Sequence, residues 1–222
     1  MDRPGRHLRL WAKLARQGRR RARPGEQLWA FRSRLEFRPP PAVEVRTQAR
    51  GTALGYIFVS PKKEPGASGS SQDAPLIVAE GGEPVWFHPL QGDDKKDAFN
   101  FEVQSYKGET VLTWWEGHHT GFGQGEYVLM DHSYREIRRV RAGNGYDGDH
   151  HEFLITPQDT ALITIYNMLP MDLTSMGGPE DGTVLDGIAQ EVDIETGEVL
   201  FEWPAWSTSP WGSPTGRRKR IR

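Results

Sequence analysis

The 222-residue sequence predicts an all-β fold, a partial β-propeller of about three four-stranded, blade-like antiparallel units with basic, disordered ends. Three observations predict it. The composition is rich in turn formers, with 25 Gly and 16 Pro against 36% hydrophobic residues. Short β-like runs alternate with polar turns from about residue 42 onward. These strand–turn–strand segments recur with a period of roughly 50 residues, the spacing of propeller blades.

The elements follow in chain order. Residues 1–38 carry twelve Lys/Arg against three Asp/Glu and read as a basic segment, disordered or forming a short helix. Such a helix would place Leu8, Trp11, Leu14 and Ala15 on one side. A single domain is expected over 39–203. Its first and shortest unit, about 50–90, pairs "GYIFVSP" with "PLIVAEGGEPVWFHP" across a Gly/Ser/Lys-rich loop. The second unit, about 100–142, runs "NFEVQSYKGETVLTWWEG" and then "GEYVLMDHSYREIRRVRA". The third, about 150–204, repeats that plan in "HHEFLITPQDTALITIYN" and "GIAQEVDIETGEVLFEWP". "EGGEP", "SYRE" and "ETGEV" are tight-turn sequences, and the alternation in "EVLFEW" suits a half-buried strand. After Trp203 the periodicity stops, so 204–222 reads as a disordered or non-native tail. A β-sandwich is the alternative architecture. Three blade equivalents do not close a ring, so the last unit is expected to expose a face and an edge and to self-associate.

Charge and composition remove several function classes. The net charge is −2, yet residues 39–216 hold eleven basic and twenty-seven acidic residues between two basic ends. An acidic body with solvated basic tails is not the pattern of a nucleic-acid binder. There is no cysteine, which excludes disulfides, thiolate metal sites and cysteine nucleophiles. No apolar run approaches the ~20 residues of a membrane span, and no signal peptide is read at the N-terminus. "GFGQG" at 121–125 lacks the Lys and Ser/Thr of a phosphate loop. No Gly-x-Ser-x-Gly motif appears.

The chemistry-bearing stretch is "NGYDGDHHEFLITPQDTALITIYN", residues 144–167. His150 and His151 are either part of a site or polar residues at a strand start, tied to the Asp147/Asp149 loop. Five of seven histidines fall between 118 and 151. The pairs 118/119 and 150/151 are adjacent, so on a strand each pair splays to opposite faces. No metal site is expected on that spacing. "NGYDGD" reads as a turn rather than a calcium loop. Trp86, Trp114, Trp115 and Trp203 suit packing between blades better than stacking on a ligand.

Several segments in order, "FRSRLEFRPPPAVEV", "GYIFVSPKK", "PVWFHPL", "VLTWWEG", "GQGEYVLMDHSYREI", "HHEFLITPQDTALITIYN" and "DGIAQEVDIETGEVLFEW", resemble the arylsulfotransferase family of β-propeller proteins over about residues 31–203. The resemblance implies a six-bladed propeller with its active site at the central channel. It implies transfer of sulfate from a phenolic sulfate ester to a phenol acceptor through a transiently sulfated histidine, with no cofactor and no nucleotide sulfate donor. It implies a channel-facing histidine at the opening of an inner strand, which makes His151 the candidate, with Glu152 and His150 as weaker companions. Trp115 and Tyr166 would be substrate-facing aromatics. The family is usually exported. Its His-x-Asn-type motif, its sulfate-carrying histidine and the basic residue beside it have no match before Trp203. The sequence therefore reads as the N-terminal half of such a protein, inactive alone, or as a non-catalytic ligand- or protein-binding module.

Overall fold

The computed structural model describes residues 38–47, 51, 55–62, 71–91 and 96–208. The basic N-terminal segment up to residue 37 and the tail beyond residue 208 lie outside the described residues. Contacts divide the chain into two compact units, which part between Pro89 and Leu90.

The protein is all-β. Among the described residues eleven strands form three antiparallel sheets. The first unit holds β1 (Ile57–Val59), β2 (Leu76–Val78) and β3 (Pro84–Phe87), in the order β1-β2-β3. Its central strand is buried at all three positions.

The second unit holds two four-stranded meanders. One is β4 (Asp97–Tyr106), β5 (Glu109–His119), β6 (Gly123–Met130) and β7 (Glu136–Val140). The other is β8 (Phe153–Ile155), β9 (Thr160–Met171), β10 (Gly182–Asp193) and β11 (Val199–Pro204). Each strand pairs with its sequence neighbour, as hairpin connections demand. The three antiparallel sheets fit the blade-like units that the sequence predicts, the first with three strands rather than four. Past the point where periodicity fades, Pro204 still pairs with Ile188 at the sheet edge, where its missing N–H costs nothing. Ala205–Thr208 add one helical turn, α1, anchored by the Trp206 N–H donating to Asp186 Oδ1 at 2.8 Å.

The turns repeat as the strands do. Ala79, Asp131 and Thr156 each close a hairpin by accepting an N–H from the residue three positions on, and each donates to the carbonyl four positions on. The third residue onward is left-handed in every case: Gly82 (φ 84°), Tyr134 (φ 60°) and Asp159 (φ 61°). The β4–β5 hairpin uses the tighter two-residue turn, with Lys107 at φ 53° and Gly108 at φ 76°.

The two meanders share a core of Tyr106, Val111, Trp115, Tyr127, Leu129 and Val140 from one sheet and Phe153, Ile155, Ala161, Ile163 and Val192 from the other. Tyr127 and Phe153 stack with ring centroids 4.5 Å apart and planes 12° from parallel. Burial of each such large side chain contributes about 1.5–3 kcal/mol. One polar side chain also joins the sheets. The Gln104 amide on β4 donates to the Phe153 carbonyl at 3.0 Å and accepts the Ile155 N–H at 2.7 Å. It thus acts as a fragment of strand for β8.

Replacing Gln104 by Leu is expected to lower stability by about 1–3 kcal/mol, because two backbone groups of β8 lose their partner. Urea denaturation measures it. An unchanged midpoint would show that apolar packing alone holds β8.

Candidate functional site

The segment between β7 and β8 builds the site, and it is held from three strands. Gly148 exchanges both backbone hydrogen bonds with Gly125 of β6, each 3.1 Å. The Gly148 carbonyl also accepts the Trp115 indole N–H at 2.8 Å. The Asp149 N–H donates to the Thr164 carbonyl of β9 at 2.8 Å, and its carbonyl accepts the Tyr127 hydroxyl at 2.5 Å. Burial pushes the Tyr127 phenol far above its ordinary pKa, so it remains a donor.

Glycine is required beneath this segment. A Cβ on Gly123 would lie 2.7 Å from the His150 nitrogen and 2.8 Å from Trp115 Cζ2, and one on Gly125 would lie 2.6 Å from the same ring atom. The indole therefore rests on a glycine shelf and reaches over it to Gly148.

Asp149, His150 and His151 follow. The Asp149 side chain is wholly buried. Its Oδ1 accepts the Gly123 N–H at 2.5 Å, and its Oδ2 accepts the His151 backbone N–H at 3.1 Å. Oδ2 also forms a short hydrogen bond with His151 Nδ1. Burial alone would raise this carboxyl. The Gly123 N–H, the two His151 donors and the neighbouring His150 outweigh it and hold the group below its ordinary value.

His150 and His151 do not splay. The expectation that they would assumed a strand, but both lie in a bend that ends before β8 begins at Phe153. Their ring centroids are 4.0 Å apart. His150 is buried, with Phe99 at 4.2 Å, His119 at 4.6 Å and Trp115 at 5.7 Å between centroids. His151 keeps 55% of its side chain exposed and meets Tyr166 of β9 edge-on at 5.9 Å.

The sequence-expected residues thus separate by role. His151 and Tyr166 share an accessible surface. His150 forms the floor behind them. Trp115 is wholly buried and offers no face to a substrate; it supports the floor and clips Gly148. Glu152 is exposed, and its charge adds to the burial that raises the Glu102 carboxyl. Asp149 was legible only as a loop residue, although its Asp-x-His spacing carried a signal. Phe99 and His119 carried none, because they reach His150 from β4 and β5, more than 30 residues away.

Chemically, the carboxylate fixes the His151 tautomer. With Nδ1–H donated to Asp149, Nε2 carries the lone pair and any positive charge on the ring is stabilised. That pairing supplies a nucleophile or a proton acceptor at the surface.

Replacing Gly123 by Ala is expected to destabilise the protein by about 1–3 kcal/mol and to shift the imidazole NMR signals of His150 and His151. Unmoved signals would show that the histidines are not seated on Gly123.

No curated protein and no solved structure matches the chain. Among the described residues, no helix is long and apolar enough to cross a membrane. The arylsulfotransferase (ASST) family model matches residues 102–214, which run from within β4 through β11 and include the segment that holds Asp149, His150 and His151. With that match over half the chain, the protein belongs to the arylsulfotransferase family.

Proposed function

We propose that the protein transfers a sulfuryl group from a phenolic sulfate ester to a phenol acceptor, with His151 as the residue that meets it. The observation that carries this reading is the hydrogen bond from His151 Nδ1 to the buried Asp149 carboxylate, with the rest of the ring exposed beside Tyr166. In the first half-reaction Nε2 attacks sulfur, the N–S bond forms, the S–O(aryl) bond breaks and phenolate leaves. In the second, the acceptor phenol passes its proton through solvent to the departed phenolate, its oxygen attacks sulfur, and the N–S bond breaks to return neutral imidazole. Asp149 lowers the barrier of the first step by stabilising the positive charge that develops on the ring as the sulfuryl group is transferred to it. The Tyr166 ring gives the aryl group an edge to pack on. The blade-like meanders are, on this reading, sectors of a β-propeller whose channel side carries His151.

The unmutated chain is expected to release a coloured phenol from an aryl sulfate when a phenol acceptor is present, and His151→Asn is expected to abolish it. Intact-mass analysis after donor alone should show a sulfuryl adduct on the peptide containing His151. Failure of the unmutated chain at every pH from about 6 to 9, where neutral imidazole is available, would overturn the claim that this chain is active by itself.

A second reading, a non-catalytic binding module, is favoured by one surface. The face of the β8–β11 sheet turned away from the core exposes Leu154, Leu162, Met168, Leu185, Phe201 and Trp203 at 37–59%. Cross-strand register puts Leu154 beside Leu162, and Met168 beside Leu185. At roughly 100 Å² for each half-exposed large side chain the patch is on the order of 600 Å². That is the upper end for a monomer and close to the ~800 Å² each partner gives a stable interface. The occupant proposed is a second copy of the chain, joined face to face. Light scattering is expected to show a concentration-dependent dimer, and the Met168→Asp, Trp203→Glu double variant a monomer. A monomer at all concentrations would overturn it.

A further inference from the structure

We propose that Asp149, His150 and His151 form a binding site for a divalent transition-metal ion of the zinc class. The bend at 149–151 gathers three donor groups whose ligand atoms all lie within 4.8 Å of one another. Both imidazoles turn Nδ1 toward the same carboxylate. His150 Nδ1 lies 3.3 Å from Oδ1, and His151 Nδ1 is hydrogen-bonded to Oδ2.

That spacing fits a metal. Bonds of about 2.0–2.1 Å in tetrahedral geometry set neighbouring donors about 3.3 Å apart. The His150–Asp149 pair already has the separation of a tetrahedral edge. The His151–Asp149 pair must open by less than about 1 Å to reach the same edge, and the exposed His151 ring is the member of the set with room to move. Binding displaces the Nδ1 proton that His151 shares with Asp149; Nε2 takes up a proton from solvent, so the ring stays neutral, and the metal takes the Nδ1 lone pair.

The donor set selects the ion. Two imidazoles and one carboxylate suit zinc, nickel or copper, whereas calcium and magnesium take oxygen ligands. Three protein donors leave a fourth position for water or an anion, on the side where His151 is exposed. Support behind the donors is in place: the Gly123 N–H orients Asp149, and Phe99 and His119 pack the His150 ring. The bound ion would place a net positive charge beside Tyr166. The ligand set stands independently of the sulfuryl-transfer reading.

Isothermal titration of the full chain with Zn²⁺ in chelator-free buffer tests it. One ion per chain is expected, removed by EDTA, and Co²⁺ in its place should give the visible absorption of a tetrahedral nitrogen/oxygen site. His151→Ala changes an exposed side chain and is expected to weaken binding at least tenfold, while His132→Ala, distant in the β6–β7 turn, leaves it unchanged. Absence of Zn²⁺ binding by the unmutated chain, or binding that survives His151→Ala, would overturn the proposal. Zinc binding without sulfotransfer would sink the functional reading and leave the site standing; sulfotransfer without zinc binding would do the reverse.

Discussion

The indole of Trp115 is the member on which the second unit depends. It lies on a shelf made by Gly117, Gly123 and Gly125, none of which tolerates a Cβ against it. From there its N–H reaches the Gly148 carbonyl. Together with the two backbone bonds between Gly148 and Gly125, that bond brings the connection between the meanders down onto the end of the first. Once Gly148 is clipped, Asp149 falls between the Gly123 N–H and the Thr164 carbonyl, and Tyr127 closes over its carbonyl. Every group in this junction is an obligatory hydrogen-bonding group in a buried place, so a lost partner would cost the full penalty of an unsatisfied polar atom.

The site inherits its geometry from that junction. Asp149 is an acid in the interior, and it is ionised because four donors or charges oppose the cost of burial. An ionised carboxylate so placed then governs both histidines. It holds His151 by the ring and by the backbone, and it stands beside His150. The two rings differ in exposure because His150 is enclosed by Phe99, His119 and Trp115, whereas His151 meets His150 on one side and Tyr166 edge-on. A floor and an accessible ring arise from neighbours in sequence, which a straight strand would have sent to opposite faces.

The opposite surface of the same sheet follows another logic. Strands β8–β11 bury one face against the first meander and leave Leu154, Met168, Phe201 and Trp203 half exposed on the other. A sheet apolar on both faces is built for two neighbours. Its exposed side and the histidine pair meet at Tyr166, so an occupant of that face would also border the site.

The fold was legible in the sequence because its signals are local. Alternation marks β10 and β11, and turn residues such as Lys107–Gly108 and Thr156–Asp159 mark hairpins whose partners are adjacent in the chain. The tandem period then assigned three sheets, and the ordered segments pointed to the family that the match over 102–214 establishes. His151 and Tyr166 were named from the family resemblance; the structure sets His151 in the bend before β8, while Tyr166 lies along β9. What only the tertiary structure decided is what long-range contact decides. Whether His150 and His151 lie in a strand or a bend depends on bonds from Gly123, Gly125 and Trp115, some 25 to 35 residues upstream. The burial of Trp115, the pairing of Asp149 with His151 and the approach of Phe99 and His119 depend on two sheets meeting. No pattern along one strand carries that information, because the side-chain period tells which face a residue takes and not what arrives to cover it.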